Sequence, residues 1–368
     1  MALLRSRLPR LGPLCCGRRD IGFFSSTSPS NWSKVVSEAE KIVGYPTSFM
    51  SLRCLLSDEL SNVAMHVRKL VGTKHPLLNT ARGFVYDSKN NLQMRGLVVL
   101  LMSKAAGPST AAAHLLQQDM VSGIYPSQRN LAEITELIHT ALLVHRGIID
   151  LKEWTNSDGP LKDMQFGNKM AVLSGDFLLA NACTGLAQLN NTKVVELISS
   201  AIGDLVQGIY YENSCTAEES SPVADVTMAT WEEQAFLSHG SLLANSCQAA
   251  MELAKHDKKA QALAFQYGKH MALGHKMNSD LQPCMNSDLQ PGRGVGDLVS
   301  CSCSSATTIG RQVDYTKLWR TIQAGKGVSS AIGLCRYHGN KALEAIQCFA
   351  PSEARSALEN IASAVAKF

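Results

Sequence analysis

Residues 133–150, EITELIHTALLVHRGIID, and residues 166–182, FGNKMAVLSGDFLLANA, decide the fold. Around the first stretch Leu131, Ile134, Leu137, Ile138, Ala141, Leu142 and His145 recur at i, i+3 and i+4 and stop at Gly147. That spacing places the apolar side chains on one face of a helix. Asn130 followed by Glu133 predicts a capping-box start for it. The second stretch belongs to another helical run, 169–189, with no β-type alternation in between.

Outward from these two segments the same period continues. It runs through 51–70, 92–105, 194–210, 230–255 and 258–275, and two further stretches follow at 313–324 and 341–365. No segment sustains a period of two, and no hairpin signal joins two β-rich runs. The expected fold class is therefore all-α. Two segments break the pattern. Residues 212–226 form a polar, acidic loop, and 277–311 contain MNSDLQP at 277–283 and again, unchanged, at 285–291, followed by glycines and a Cys-Ser run. The duplication is too short for a solenoid unit, so 277–311 is expected to be an irregular insertion without packed structure.

At 368 residues, 45% hydrophobic and 18% charged, the chain can bury a sizeable core, and disorder along its whole length is excluded. The longest apolar run, 97–102, falls far short of the roughly 18 residues of a membrane-spanning helix, so an integral membrane protein is not expected. The net charge of +4 has a local origin: residues 1–31 carry Arg5, Arg7, Arg10, Arg18 and Arg19 against the single acid Asp20. The remaining chain is neutral, which gives no electrostatic reason to expect a nucleic-acid partner. The same 31 residues are rich in serine and have leucine and phenylalanine interleaved, the composition of a disordered mitochondrial transit peptide. Eleven cysteines lie mostly singly within apolar helical patterns, and Cys301-Ser-Cys303 lacks a second pair at zinc spacing. A reduced compartment without structural zinc is expected.

Together, IHTALLVH at 138–145, FGNK at 166–169 and GDFLLA at 175–180 resemble the trans-isoprenyl diphosphate synthases. The resemblance covers 35–282 well and the C-terminal helices more loosely. It implies a single large isoprenoid-synthase-type bundle of antiparallel helices around a central cavity, with 32–276 as the core and 312–368 as further helices of the same domain. In that family an allylic diphosphate loses pyrophosphate to Mg²⁺ ions held by two DDxxD motifs on facing helices.

This chain departs from that pattern. Aligned on the first motif, LLVHRGIID puts Arg146 and Gly147 where two aspartates belong and keeps Asp150 alone. The second motif, located by Tyr267-Gly268, falls on SDLQP at 279–283 and keeps only Asp280. The family's GGKRxRP diphosphate clamp aligns with NNLQMRG at 90–96, where Leu92 and Gln93 replace the basic pair and Arg95 survives. Its Arg-Arg pair has no counterpart in 151–160, and its Lys-Thr pair aligns with Ser238-His239. The resemblance thus implies no catalytic residue and no metal site on this chain. Asp150 and Asp280 are degenerate aspartate-motif remnants, Arg95 is a diphosphate-binding remnant, and Gly175 and Asp176 are structural, Asp176 as a buried acid fixing helix packing. His139 and His145 read as satisfied core histidines, and Ala141 as inherited packing.

Residues 32–62 and 325–345 resemble most the motif-lacking branch that serves as a subunit of mitochondrial decaprenyl or solanesyl diphosphate synthases. That implies a non-catalytic but required subunit, in a heterotetramer with a catalytic polyprenyl diphosphate synthase subunit. The complex would use isoprenoid diphosphates, with Mg²⁺ on the catalytic partner, to make the ubiquinone side chain in the mitochondrial matrix. Two alternatives stand beside it: a self-sufficient prenyl transferase with a metal site built from Asp150, Asp280 and Glu136, or a helical protein that binds polyprenyl lipids. Leu97, Val98, Val99, Leu100 and Leu101 are apolar all round, so their helix is either central or covered by a partner.

Overall fold

The computed structural model describes residues 29–44, 73–78, 94–109, 120–152, 159–217, 228–285 and 327–366. Its principal elements are α1 (Pro29–Val43), α2 (Met94–Ala106), α3 (Pro126–His145), α4 (Leu161–Gln188) and α5 (Thr192–Ala217). After these come α6 (Met228–Ala235), a π-helical turn (Phe236–Gly240), α7 (Ser241–Leu253), α8 (Lys258–Met285), α9 (Gly327–Gln347) and α10 (Glu353–Val365). Among the described residues no strand is formed, and Val121 and Ile124 make an isolated bridge. The all-α expectation holds.

The core lies along α2 and α7. Every residue from Leu97 to Met102 is 0% exposed, because α2 packs against α1, α3, α7 and α10 at once. Burying a single leucine contributes about 1.5–3 kcal/mol, so this helix is a main source of stability. The all-round apolar helix is central, and this chain covers it without a partner. Helix α7 in turn lies against α2, α3, α5 and α8. Gly268 on α8 lets the backbones of α7 and α8 touch: a Cβ there would stand 2.8 Å from Ala244 Cα and 2.8 Å from the Leu243 carbonyl oxygen. Beside it, the fully buried Tyr267 donates its hydroxyl to the Leu358 carbonyl at 2.8 Å and ties α8 to α10.

Several boundaries differ from the sequence reading. Helix α3 begins at Pro126, earlier than Asn130. Proline suits the first helical position, and Gln128 Oε1 accepts the Tyr125 N–H at 3.1 Å while Gln128 Nε2 donates to Ala250 O at 2.9 Å. The first copy of the heptapeptide is not irregular. It forms the last turns of α8, where Met277 and Leu281 are buried and Asn278 Nδ2 donates to the Val365 carbonyl at 2.6 Å. The second copy beyond Met285, the rest of the expected insertion, and 313–324 lie outside the described residues, as do 1–28 and 51–70. Helix α5 continues to Ala217, into the expected loop. The stretch 341–365 splits before Ser352, whose hydroxyl caps α10 by accepting the Arg355 N–H at 3.1 Å.

Helix α4 is unusual in what it leaves uncovered. It has 28 residues and a window of mean hydropathy 1.4, of which 33% is buried. By length and composition it is the one helix among the described residues that passes the test for crossing a membrane, although Lys162, Asp163, Lys169 and Asp176 interrupt its apolar run. Val172 and Leu173 are exposed on it, and Val206, Tyr210 and Tyr211 are exposed on α5.

Candidate functional site

The first turn of α2 and the last turns of α3 meet the π-helical turn and the N-terminal end of α7 around a small cavity of about 30 Å³. Its polar lining is Arg95, His139, Arg146, Ser238 and His239, and the remainder is leucine from α3, α5 and α7. Five residues in π-helical geometry advance the backbone differently from the flanking α-helices, a feature that often marks a functional position. Gly208 on α5 makes room for this turn: a Cβ there would come within 2.8 Å of the Ser238 backbone nitrogen.

Two hydrogen-bonded units define the cavity. Arg95 Nη1 donates to His139 Nε2 at 2.8 Å, and beneath it Glu136 Oε1 accepts the Gly96 N–H at 2.6 Å. Glu136 is 1% exposed. Burial pushes its carboxyl up to about 7, against the opposing pull of the Gly96 N–H and the Arg95 charge. On the other side Ser238 Oγ donates to the Gln234 carbonyl at 2.8 Å and lies 2.7 Å from His239 Nδ1. Burial, followed by the charges of neighbouring cations, holds both His139 and His239 well below the ordinary histidine value. His275 is held at about 4, first by burial and then by Arg95 and Lys276. Fixed positive charge and neutral imidazoles therefore dominate the site.

The two remnant aspartates do not join it. Asp150 is exposed, and its Oδ1 accepts the N–H of Lys152 at 2.9 Å, closing its own turn. Asp280 is held by Lys276, whose Nζ donates to both carboxylate oxygens at 2.5 and 2.7 Å. Glu136 faces Gly96 and Arg95, so the Asp150, Asp280 and Glu136 set is not assembled. Among the described residues no group of three or more His, Cys, Asp or Glu side chains is placed to hold a metal ion. A Mg²⁺ cluster does not fit this donor set, since each ion takes about six oxygens and the first motif position carries a guanidinium.

Gly175 and Asp176 have different roles from each other. A Cβ on Gly175 would stand 2.1 Å from His145 Nε2, so the glycine gives the His145 ring its place between α3 and α4. Asp176 is not buried, as the sequence reading expected: its side chain is 63% exposed, 3.4 Å from His145 Nε2. That ring nitrogen also lies 3.3 Å from the Val172 carbonyl, so His145 is half-buried at a helix contact. His139 is a buried cavity-wall residue with a partner, as expected. Sequence reasoning passed over His239 as merely a lost Lys-Thr pair, and the π-turn that presents it has no pattern in the sequence.

The polyprenyl synthetase family profile matches residues 86–326. The all trans-polyprenyl-diphosphate synthase PDSS2 of Rattus norvegicus is 66% identical over 359 residues, covering 94% of this chain and 89% of that protein. A probable mitochondrial hexaprenyl pyrophosphate synthase of Neurospora crassa is 30% identical over 411 residues, covering 94% and 90%. Among solved structures, a geranylgeranyl pyrophosphate synthase from Bacteroides thetaiotaomicron aligns with a TM-score of 0.63 at 18% identity, covering 90% of this chain and 99% of that one. At that identity the likeness speaks for the fold alone.

Proposed function

The chain belongs to the polyprenyl synthetase family, and on that premise we propose that it is a non-catalytic but required subunit of a heteromeric trans-polyprenyl diphosphate synthase. Its catalytic partner elongates an allylic diphosphate of farnesyl type with isopentenyl diphosphate, and the product is the side chain of ubiquinone. The observation that carries this reading is the state of the two aspartate positions. Arg146 stands at the first, Asp150 closes a turn, and Lys276 occupies the carboxylate at the second. Pyrophosphate leaves an allylic carbon when metal ions neutralise its developing charge. A guanidinium at the metal position repels those ions. Mg²⁺ belongs on the partner.

The partner's place is the exposed apolar face of α4 and α5. A helix of this length and apolarity that is one-third buried within its own chain costs free energy in water and gains it back in an interface. A homologous subunit presenting the same helices would cover Val172, Leu173, Val206 and Tyr210 by a near-twofold arrangement, and two such pairs make a heterotetramer. The named Neurospora relative is mitochondrial, and the basic, serine-rich residues 1–31 suit delivery to the matrix. The cavity at Arg95 and His239, of about 30 Å³, holds two or three waters and no isoprenoid chain, which speaks against a polyprenyl lipid seated there.

Reconstitution tests the proposal. The purified chain with Mg²⁺, farnesyl diphosphate and isopentenyl diphosphate makes no product alone. Added to the catalytic subunit, it raises long-chain product well above what that subunit makes by itself. Elongation by the isolated chain, or an indifferent catalytic subunit, overturns it.

A further inference from the structure

We propose that residues 18–24 of this chain, RRDIGFF, dock in the groove between α1 and α10. On α1, Val35, Glu38, Ala39 and Ile42 fall at i, i+3, i+4 and i+7, so they line one face. On α10, Glu353, Ala357 and Asn360 fall at i, i+4 and i+7 and do the same. Between the two stripes lies a groove of about 280 Å³. Ala39 and Ala357 are buried at its floor and end at Cβ, which leaves the space, while Val35 and Ile42 stay half-buried. Apolar side chains left partly in water at a concave surface favour an apolar occupant. Both charged side chains of the lining are carboxylates. Glu38 and Glu353 are exposed, and neither has a hydrogen-bond or ion-pair partner among the described residues. The neighbouring cation on α10, Arg355, is held by Glu359 at 2.8 Å and the Phe349 carbonyl at 2.7 Å. Lys34 and Lys41 on α1 are exposed and lie outside the lining.

Such a groove calls for an occupant that carries cations and apolar side chains on one short stretch. Arg18 and Arg19 precede Ile21, Phe23 and Phe24 here, against the single acid Asp20. The chain enters α1 at Pro29, so the segment is tethered beside the groove. Val35 and Ile42 lie roughly 9 and 20 Å along α1 from that point, at about 1.5 Å per residue. An extended chain covers the longer distance in about six residues, at roughly 3.3 Å each. Counting about six residues back from Pro29 arrives at Phe23. The two phenylalanines therefore reach the apolar walls, and the two arginines reach the carboxylates at the rim. A short tether raises the effective concentration of the segment, so modest contacts suffice to hold it. Removing residues 1–28 leaves the groove open. This inference goes beyond the subunit reading and does not rest on it.

Disulfide trapping in the full chain tests this, since Cys15 and Cys16 stand just before Arg18. With Asn360→Cys, at an exposed position, mild oxidation of dilute protein joins Cys15 or Cys16 to the introduced thiol within one chain, as read from peptide masses. Cys183, exposed on α4, is the internal reference and is trapped about tenfold less. Glu38→Arg combined with Glu353→Arg lowers the trapped fraction about fivefold, and high salt acts in the same direction. An unchanged circular dichroism midpoint shows that these surface variants keep the fold. Absence of the disulfide, equal trapping at Cys183, or a yield indifferent to charge reversal overturns the inference. A disulfide found only between two chains also overturns it, and assigns the groove to a second copy.

Discussion

Glu136→Gln isolates the buried carboxyl beneath Arg95. In the folded chain this group is 1% exposed and accepts the Gly96 N–H through Oε1. Burial raises it from an ordinary 4.5 to about 7. In the unfolded chain it releases its proton near the ordinary value. Between the two the folded state holds a proton that the unfolded state has lost, so rising pH favours unfolding by about 1.4 kcal/mol per pH unit. Over that interval the wild type loses on the order of 3 kcal/mol from this group, and nothing further above pH 7. Glutamine does not ionise and still offers a carbonyl to Gly96. Denaturant midpoints measured from pH 4 to 9 should show the variant gaining on the wild type between pH 4.5 and 7 and then holding a constant lead. Parallel curves across the range would refute the assignment of a buried, near-neutral carboxyl.

Gly268→Ala should cost about 2 kcal/mol, the strain of pushing α7 and α8 apart less the helix-propensity gain, because a Cβ there meets backbone at 2.8 Å. Gly203→Ala in α5 meets nothing within 4 Å and should add about 0.5–1 kcal/mol in the same denaturant titration; a matching sign for the two substitutions contradicts the close helix approach. Leu173→Asp, at a position 50% exposed, should leave the circular dichroism and midpoint of the isolated chain unchanged while abolishing co-elution with the catalytic subunit; undiminished co-elution removes α4 from the interface. Asp280→Asn breaks an exposed i,i+4 pair with Lys276 and should shift stability by less than about 0.5 kcal/mol, with product formation by the reconstituted complex intact. A large loss of product there would restore Asp280 to a metal-binding role.

The helices were legible because their apolar positions repeat with the helical period, and the family because FGNK and GDFLLA stand at a fixed distance from IHTALLVH. Ends were less legible. The Pro126 start was hidden because a glutamine both caps α3 and reaches Ala250, a residue distant in sequence. The duplicated heptapeptide looked like low complexity, yet Met277 and Leu281 in its first copy fall four apart and pack inward. Asp176 shows the limit of reading burial from neighbours. Its flanking Gly175 and Phe177 turn away from solvent, but a helix rotates about 100° per residue and carries the acid outward. The cavity's composition followed from alignment, whereas its electrostatics did not. Arg95, Arg146, His239 and Lys276 are far apart in sequence, and their mutual repulsion exists only once α2, α3, the π-turn and α8 are assembled.

The encasement of α2 has a cost during synthesis. Its covering includes α10, which begins at Glu353, whereas α2 ends at Ala106. At ribosomal speeds of about 5–20 residues per second, the intervening stretch takes on the order of tens of seconds to emerge. Throughout that time an apolar helix with no polar face waits beside the ribosome without its final neighbour. Nascent chains halted before Glu353 should be held by chaperones that recognise hydrophobic segments, and release should coincide with the arrival of the last helix.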